Sequence, residues 1–98
     1  MSIFALGNTL KEQVEINKDP YEYEGLVYHD GAEAYMFCQV GYSSFTFISL
    51  MSGNRAFDAI QGEGDGEYKG IPQNTIMAEV LKHMDGDALE LVHNPFDD

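Results

Sequence analysis

The sequence contains few of the residues on which many binding and redox sites depend. Of its 98 residues only 5 are Lys or Arg, one is Cys and none is Trp. The single cysteine, Cys38, cannot form an internal disulfide, so nothing favours an oxidising compartment. The first residues, MSIFAL, lack the cationic region of a signal peptide, and no apolar run is long enough to span a membrane. We therefore expect a cytoplasmic protein that does not associate with membranes.

Acidic residues are abundant by contrast. Asp and Glu number 17, which gives a formal net charge of −12. Most of them fall in three segments, 19–33, 58–67 and 85–98. A field of this sign repels nucleic acid and anionic lipid and attracts cationic partners. The simpler interpretation is that the acids keep the protein soluble.

The apolar centre of the chain is the segment Glu33–Met51, EAYMFCQVGYSSFTFISLM, whose only charged residue is Glu33. It predicts two central strands, Glu33–Val40 and Phe45–Met51, joined by a turn. Both faces of the first strand are apolar, so both must be covered. A helix can cover one face. The other needs closure of a barrel, the N-terminal segment or a second protein chain.

The N-terminal third contains two ambiguous segments. Residues 9–12 match a capping box that could open a short helix, but apolar residues alternate over 13–16. We favour a strand there because a turn and more strand-like sequence follow. Residues 21–28 then predict a strand that bends or bulges at Gly25, and residues 29–31 predict a hairpin turn.

The C-terminal half predicts a short strand over 55–60 with Phe57 and Ile60 facing inward, then a flexible Gly-rich acidic loop over 61–70. An apolar stripe predicts a helix over about 72–85. A final edge strand over 88–92 and a mobile tail over 93–98 complete a single domain, 1–98. The predicted fold class is α+β. We expect a small, strongly bent antiparallel sheet of about five strands, an SH3-like barrel or roll, with one C-terminal helix and a short final strand.

No catalytic residue is predicted. Cys38 has apolar neighbours, which raise the pKa of a thiol and make it inert. His29, His83 and His93 have no spacing that suits a zinc site.

The loop carboxylates of Glu63, Asp65 and Glu67 also predict no metal site, because their order does not match a calcium-binding loop. No cofactor is expected. Alternate residues of an extended chain lie about 7 Å apart on one side, so such a row of carboxylates loosely imitates a phosphate backbone.

These observations favour a non-enzymatic inhibitor that binds a basic, nucleic-acid-handling protein and not nucleic acid itself. In size and charge the chain is similar to small acidic inhibitors of phage or mobile-element origin, such as anti-CRISPR and anti-restriction DNA mimics, and this general likeness assigns no residue. The predicted acidic contacts are Asp19, Glu22, Glu24, Asp30, Glu63, Asp65, Glu67, Asp85 and Asp87, and the predicted aromatic contacts are Tyr21, Tyr23 and Tyr68. Two alternatives are an immunity protein that neutralises a basic toxin, and a homodimeric structural or assembly module.

Overall fold

The computed structural model of the protein describes residues 5–62 and 72–95. Two α-helices, two 3₁₀ helices and five strands lie in these ranges. In chain order they are α1 (Leu10–Ile16), a 3₁₀ helix (Pro20–Tyr23), β1 (Val27–His29), β2 (Ala34–Gly41), β3 (Ser44–Ser49), β4 (Ile60–Gln61), a 3₁₀ helix (Gln73–Thr75), α2 (Ile76–His83) and β5 (Glu90–His93). None of the helices in these ranges has the length and hydropathy needed to cross a bilayer.

The strands form one antiparallel sheet in the order β4-β3-β2-β1-β5. The centre is the β2–β3 hairpin, in which Phe37 lies opposite Phe47 and Met36 lies opposite Ile48. The first and last strands of this order do not meet, so the sheet is an open roll and not a closed barrel. The predicted α+β class and the number of strands are confirmed.

The core lies between one face of the sheet and the two α-helices. Its largest members are aromatic, and Phe37 contacts both Phe45, stacked at 5.6 Å between ring centroids, and Phe47, edge-on at 5.2 Å. The fully or almost fully buried apolar residues are Leu10, Val14, Tyr23, Leu26, Tyr28, Phe37, Phe45, Phe47, Ile60, Ile76, Met77, Val80, Leu89 and Leu91. The apolar segment 33–51 therefore supplies the centre of the core, as its composition predicts.

The strand predicted over 13–16 is wrong, because this segment belongs to α1. The capping box supplies the N-terminus of the helix: Thr9 Oγ1 accepts a hydrogen bond from the Glu12 backbone N–H at 3.2 Å, and Glu12 Oε1 accepts one from the Thr9 N–H at 3.1 Å. Leu10 and Val14 are buried one helical turn apart, while Ile16 is 69% exposed. The alternation that suggested a strand thus has no structural counterpart.

The strand predicted over 21–28 begins only at Val27. The preceding residues form a 3₁₀ helix, because Asp19 caps it: its Oδ1 accepts a hydrogen bond from the Tyr21 N–H at 3.0 Å. Gly25 turns the chain from this helix into β1 with φ +86°, and a Cβ there would lie 3.2 Å from Pro95 Cγ. The chain therefore turns at Gly25, but this turn precedes β1 and does not bend a strand as predicted.

The C-terminal half follows the prediction more closely. Ile60 is buried and Phe57 packs against the core, as expected. The strand expected over 55–60 is not continuous: Arg55 forms an isolated bridge to Ile48 of β3, and Ile60 pairs with β3 as part of β4. The helix predicted over 72–85 is present as a 3₁₀ turn and α2, which together span 73–83.

The last strand is displaced from 88–92 to Glu90–His93, and the segment before α1 hydrogen-bonds along its free edge: the Gly7 N–H donates to the Leu91 carbonyl at 2.8 Å. The first residues of the predicted loop and tail are ordered differently from the prediction: Gln61 belongs to β4, His93 belongs to β5, and Asn94 is buried. Residues 63–70 and 96–98 of those predictions lie outside the described residues.

Candidate protein-binding surface

Exposed aromatic rings and carboxylates lie together at the end of the sheet formed by the β2–β3 turn. The edge of the Tyr21 ring packs against Phe45 at 5.1 Å between centroids, and its hydroxyl lies 3.1 Å from Ser43 Oγ. Tyr21 is 39% exposed and Tyr42, at the tip of the turn, is 71% exposed. The exposed Glu22 follows Tyr21 directly. We call Asp19, Tyr21, Glu22 and Tyr42 the hairpin-end surface.

Local hydrogen bonds fix this surface. The cap that Asp19 provides sets the direction of the 3₁₀ helix that carries Tyr21 and Glu22, and the Gln73 side-chain amide donates to Asp19 Oδ1 at 3.4 Å. In the turn itself Ser43 has φ +55°, a left-handed conformation that is uncommon for a residue with a side chain. Asp19 thus has a structural role besides its charge, whereas the Glu22 carboxylate makes no hydrogen bond or ion pair within the described residues.

A second group of carboxylates lies at the opposite end of β1. Glu90 pairs with His29 across the sheet, and Asp30 is the next residue of the β1–β2 turn. Asp85 and Asp87 lie in the turn that leads into β5, where the Asp85 carboxylate accepts a hydrogen bond from the Asp87 N–H at 3.1 Å. We call Asp30, Asp85, Asp87 and Glu90 the far-end acids.

The predicted acidic contacts therefore do not form a single continuous group. Asp19, Glu22 and Glu24 belong to the 3₁₀ helix and its flanks, while Asp30, Asp85 and Asp87 are far-end acids. Of the predicted contacts, Glu63, Asp65, Glu67 and Tyr68 lie outside the described residues.

Most of the described carboxylates have no cationic partner in the described part of the chain. Two ion pairs occur there, Lys11 with Asp87 at 3.9 Å and Lys82 with Glu79 at 2.7 Å. Asp30 is stabilised as an anion mainly by backbone hydrogen bonds from Ala32 and Glu33, which lower its pKa. The negative field of the described surface is thus largely uncompensated by neighbouring side chains.

Burial separates the tyrosines of the predicted aromatic set. Tyr23 is fully buried and its hydroxyl donates to the Asn17 carbonyl at 2.5 Å, so burial raises the pKa of the phenol. It belongs to the core and offers no exposed ring, unlike Tyr21. Tyr42, which was not among the predicted contacts, takes its place on the surface. Its position in a four-residue turn, Gly41–Ser44, is the sequence feature that indicates its exposure.

Neither an activated thiol nor a cluster of metal ligands is present among the described residues. Desolvation raises the pKa of Cys38, with a smaller effect from Glu24, and its thiol donates to the carbonyl of Met36 in the same strand at 3.5 Å. A raised pKa is the opposite of what a nucleophilic thiolate requires. Within residues 5–62 and 72–95 no group of three His, Cys, Asp or Glu side chains is placed to hold a metal ion.

Comparison of the chain with protein-family models, with curated proteins and with solved structures finds no match in any of the three. The geometry of the described residues is therefore the basis for a functional proposal.

Proposed function

We propose that the protein is a non-enzymatic inhibitor that binds a cationic nucleic-acid-handling protein, such as a CRISPR effector or a restriction enzyme, and blocks its nucleic-acid site. The observation that carries this proposal is the hairpin-end surface, where exposed Tyr21 and Tyr42 adjoin carboxylates that no described cation neutralises. Tyrosine is enriched among the residues that dominate binding energy at protein interfaces. Carboxylates beside it select a basic partner.

The charge of the whole chain supports the same partner class. A net charge of −12 accelerates encounter with a basic protein and makes the association rate sensitive to salt. The described acids among the predicted contacts are divided between two ends of the sheet, so the proposal does not require a continuous imitation of a phosphate backbone. The hairpin-end surface makes the close contact, and the far-end acids contribute to long-range attraction.

The test is inhibition of DNA cleavage by a panel of purified Cas nucleases and restriction endonucleases. We expect the protein to inhibit at least one of them near equimolar concentration. The Kd of that complex should rise at least tenfold between about 50 and 300 mM NaCl, because salt screens charged contacts that lie farther apart than about a Debye length.

Matched variants locate the contact. Glu22→Lys and Tyr42→Ala should each weaken binding about tenfold or more, since hot-spot residues contribute about 2 kcal/mol or more. Asp58→Lys makes the same change of charge at an exposed residue outside the hairpin-end surface and should have a much smaller effect. Equal losses for Glu22→Lys and Asp58→Lys would contradict the assigned surface, and a panel with no inhibited enzyme would contradict the proposed function.

A further inference from the structure

The sheet has a second apolar face, which points away from both α-helices. Side chains alternate between the two faces of a sheet along each strand. The residues of β1, β2 and β3 that alternate with the buried residues therefore lie on this second face. The register aligns Val27 with Met36 and Met36 with Ile48 across three strands. We call this the outer face; its apolar residues are Val27, Met36, Cys38, Val40, Ile48, Leu50 and Val92.

No helix or strand of the described residues packs over the outer face. Val27, Met36, Cys38 and Ile48 are each only half-buried. Leu50 and Val92 are 51% and 49% exposed. Thr46 is the exception on this side of β3, because its hydroxyl donates to the Phe57 carbonyl at 2.8 Å and the side chain is fully buried. An apolar patch of this kind is typical of an interaction site.

We propose that a second copy of this chain covers the outer face in a symmetric dimer. The position of charge around the face favours this occupant. Arg55 bridges to Ile48 at the β3 edge, and Glu90 pairs with His29 at the β5 edge, so opposite charges border opposite edges. In the dimer the outer faces of the two copies meet, and a two-fold axis parallel to the strands runs between them. This axis places the β3 edge of one copy over the β5 edge of the other. Arg55 then lies over β5 of the second copy, two residues or about 7 Å along the strand from Glu90 and within reach of its own long side chain, whereas a uniformly basic partner would meet Arg55 with like charge.

The same geometry reduces the cost of bringing two acidic chains together. Few described charges adjoin the outer face: Glu24 acts electrostatically on Cys38, and Arg55 and Glu90 lie at its two edges. Of the other described acids, Asp19 and Glu22 belong to the 3₁₀ helix and its N-terminal flank, and Asp85 and Asp87 lie in the turn before β5. Long-range repulsion between two chains of net charge −12 remains, and salt screens it. The dimer should therefore become tighter as salt increases, opposite to the binding of a basic partner.

The size of the face indicates a weak dimer. Four strands spaced about 4.8 Å apart and a central strand of 8 residues give a flat area of roughly 500 Å². Stable interfaces bury about 800 Å² on each partner. We therefore expect dissociation in the micromolar range and not a permanent dimer.

The experiment is analytical ultracentrifugation of the full chain from about 10 µM to about 1 mM at low and moderate salt. The wild type should pass from monomer to dimer, with a Kd that falls severalfold as salt rises. Ile48→Glu should remain monomeric over the same range. Ile16→Glu is the matched control, because it makes the same substitution at a residue of α1 that is 69% exposed, and it should dimerise like the wild type.

Cys38 provides an independent measurement because it lies on the outer face of the central strand. Its alkylation by N-ethylmaleimide should slow as the wild-type concentration rises and should stay constant for Ile48→Glu. A wild type that stays monomeric over the whole concentration range overturns the proposal. This holds whether the outer face is then covered by the ends of the chain or by a different protein. Equal loss of dimer for Ile16→Glu also overturns it. Neither outcome bears on inhibition of a basic enzyme, so the two proposals fail separately.

Discussion

Tyr28 and Gln13 form a polar contact inside the aromatic core. Tyr28 is fully buried and its hydroxyl donates to the side-chain carbonyl of Gln13, which is 1% exposed. The Gln13 side-chain nitrogen has no hydrogen-bond partner among the described residues. A buried polar atom without a partner costs about 1–3 kcal/mol, so this contact joins α1 to β1 at an energetic cost.

Substitution of this pair should give strongly non-additive stabilities. Tyr28→Phe leaves both polar atoms of the Gln13 amide unsatisfied and should lower the free energy of unfolding by about 1–3 kcal/mol. In the double variant Gln13→Leu with Tyr28→Phe no unpaired polar group remains, and its stability should lie closer to that of the wild type. Urea unfolding of the four proteins in the cycle measures this, and additive losses would contradict it.

At the scale of the element, α1 depends on its N-terminal cap. Thr9 Oγ1 and the Glu12 carboxylate exchange hydrogen bonds with each other's backbone N–H groups, and the bond from the Thr9 backbone is the main reason that the pKa of Glu12 is lowered. A lowered pKa in the folded state means that Glu12 contributes stability above its ordinary pKa. That contribution is lost as the pH falls through the folded-state pKa.

Two substitutions test this cap. Thr9→Ala should lower the free energy of unfolding by about 0.5–2 kcal/mol. Glu12→Gln should be destabilising at neutral pH, and its difference from the wild type should shrink as the pH falls below about 4. Glu15→Gln, an exposed residue of the same helix, is the control and should change stability little at either pH. A Glu12→Gln effect independent of pH would show that the charge of Glu12 has no part in the cap.

The two helices differ in how far the sequence determines them. The apolar stripe that includes Ile76 and Val80 fits only a helix, and α2 lies where it was predicted. In α1, Val14 and Ile16 fit both a helix and a strand, and the choice depends on burial of Leu10 and Gln13 against distant parts of the chain. A local sequence pattern does not reveal contacts between residues that are distant in the chain.

The candidate surface, like the helices, was predictable only in part from the sequence. The sequence located the acids and the tyrosine-rich segment, but not which rings are exposed. Tyr23 lies two residues after Tyr21 and is fully buried, because the Asp19 cap starts a 3₁₀ helix in which these two residues do not share a face. Alternation in a strand would have placed them together. The pairing of Glu90 with His29, which places Asp30 at the same end of the sheet as the start of β5, depends on sheet order and has no local signal.

At the scale of the whole molecule, charge and hydrophobicity are separated. One face of the sheet supports the helices, the outer face is apolar and half-exposed, and the described carboxylates lie mainly at the sheet ends and on the helices. The outer face was predictable, since both sides of Glu33–Val40 are apolar in the sequence. The acids contribute to solubility and to attraction of basic proteins, while their mutual repulsion opposes the compact state.

This repulsion leads to a prediction about stability and salt. At a protein concentration low enough to keep the chain monomeric, the free energy of unfolding should rise between about 20 and 300 mM NaCl, because screening weakens repulsion among the carboxylates. Glu22→Gln combined with Glu24→Gln removes two exposed charges and should give a shallower dependence on salt. Chemical denaturation with urea, which adds no ions, measures both.

The opposite result has a defined meaning. Screening also weakens attractive pairs. The two among the described residues are Lys11 with Asp87, both exposed, and Lys82 with Glu79, of which Glu79 is half-buried. Exposed pairs of this kind contribute only about 0–1 kcal/mol each. If stability fell with salt, these attractions would outweigh the repulsion of a chain with net charge −12. The carboxylates would then be arranged to stabilise the fold and would not form an uncompensated surface for a basic partner.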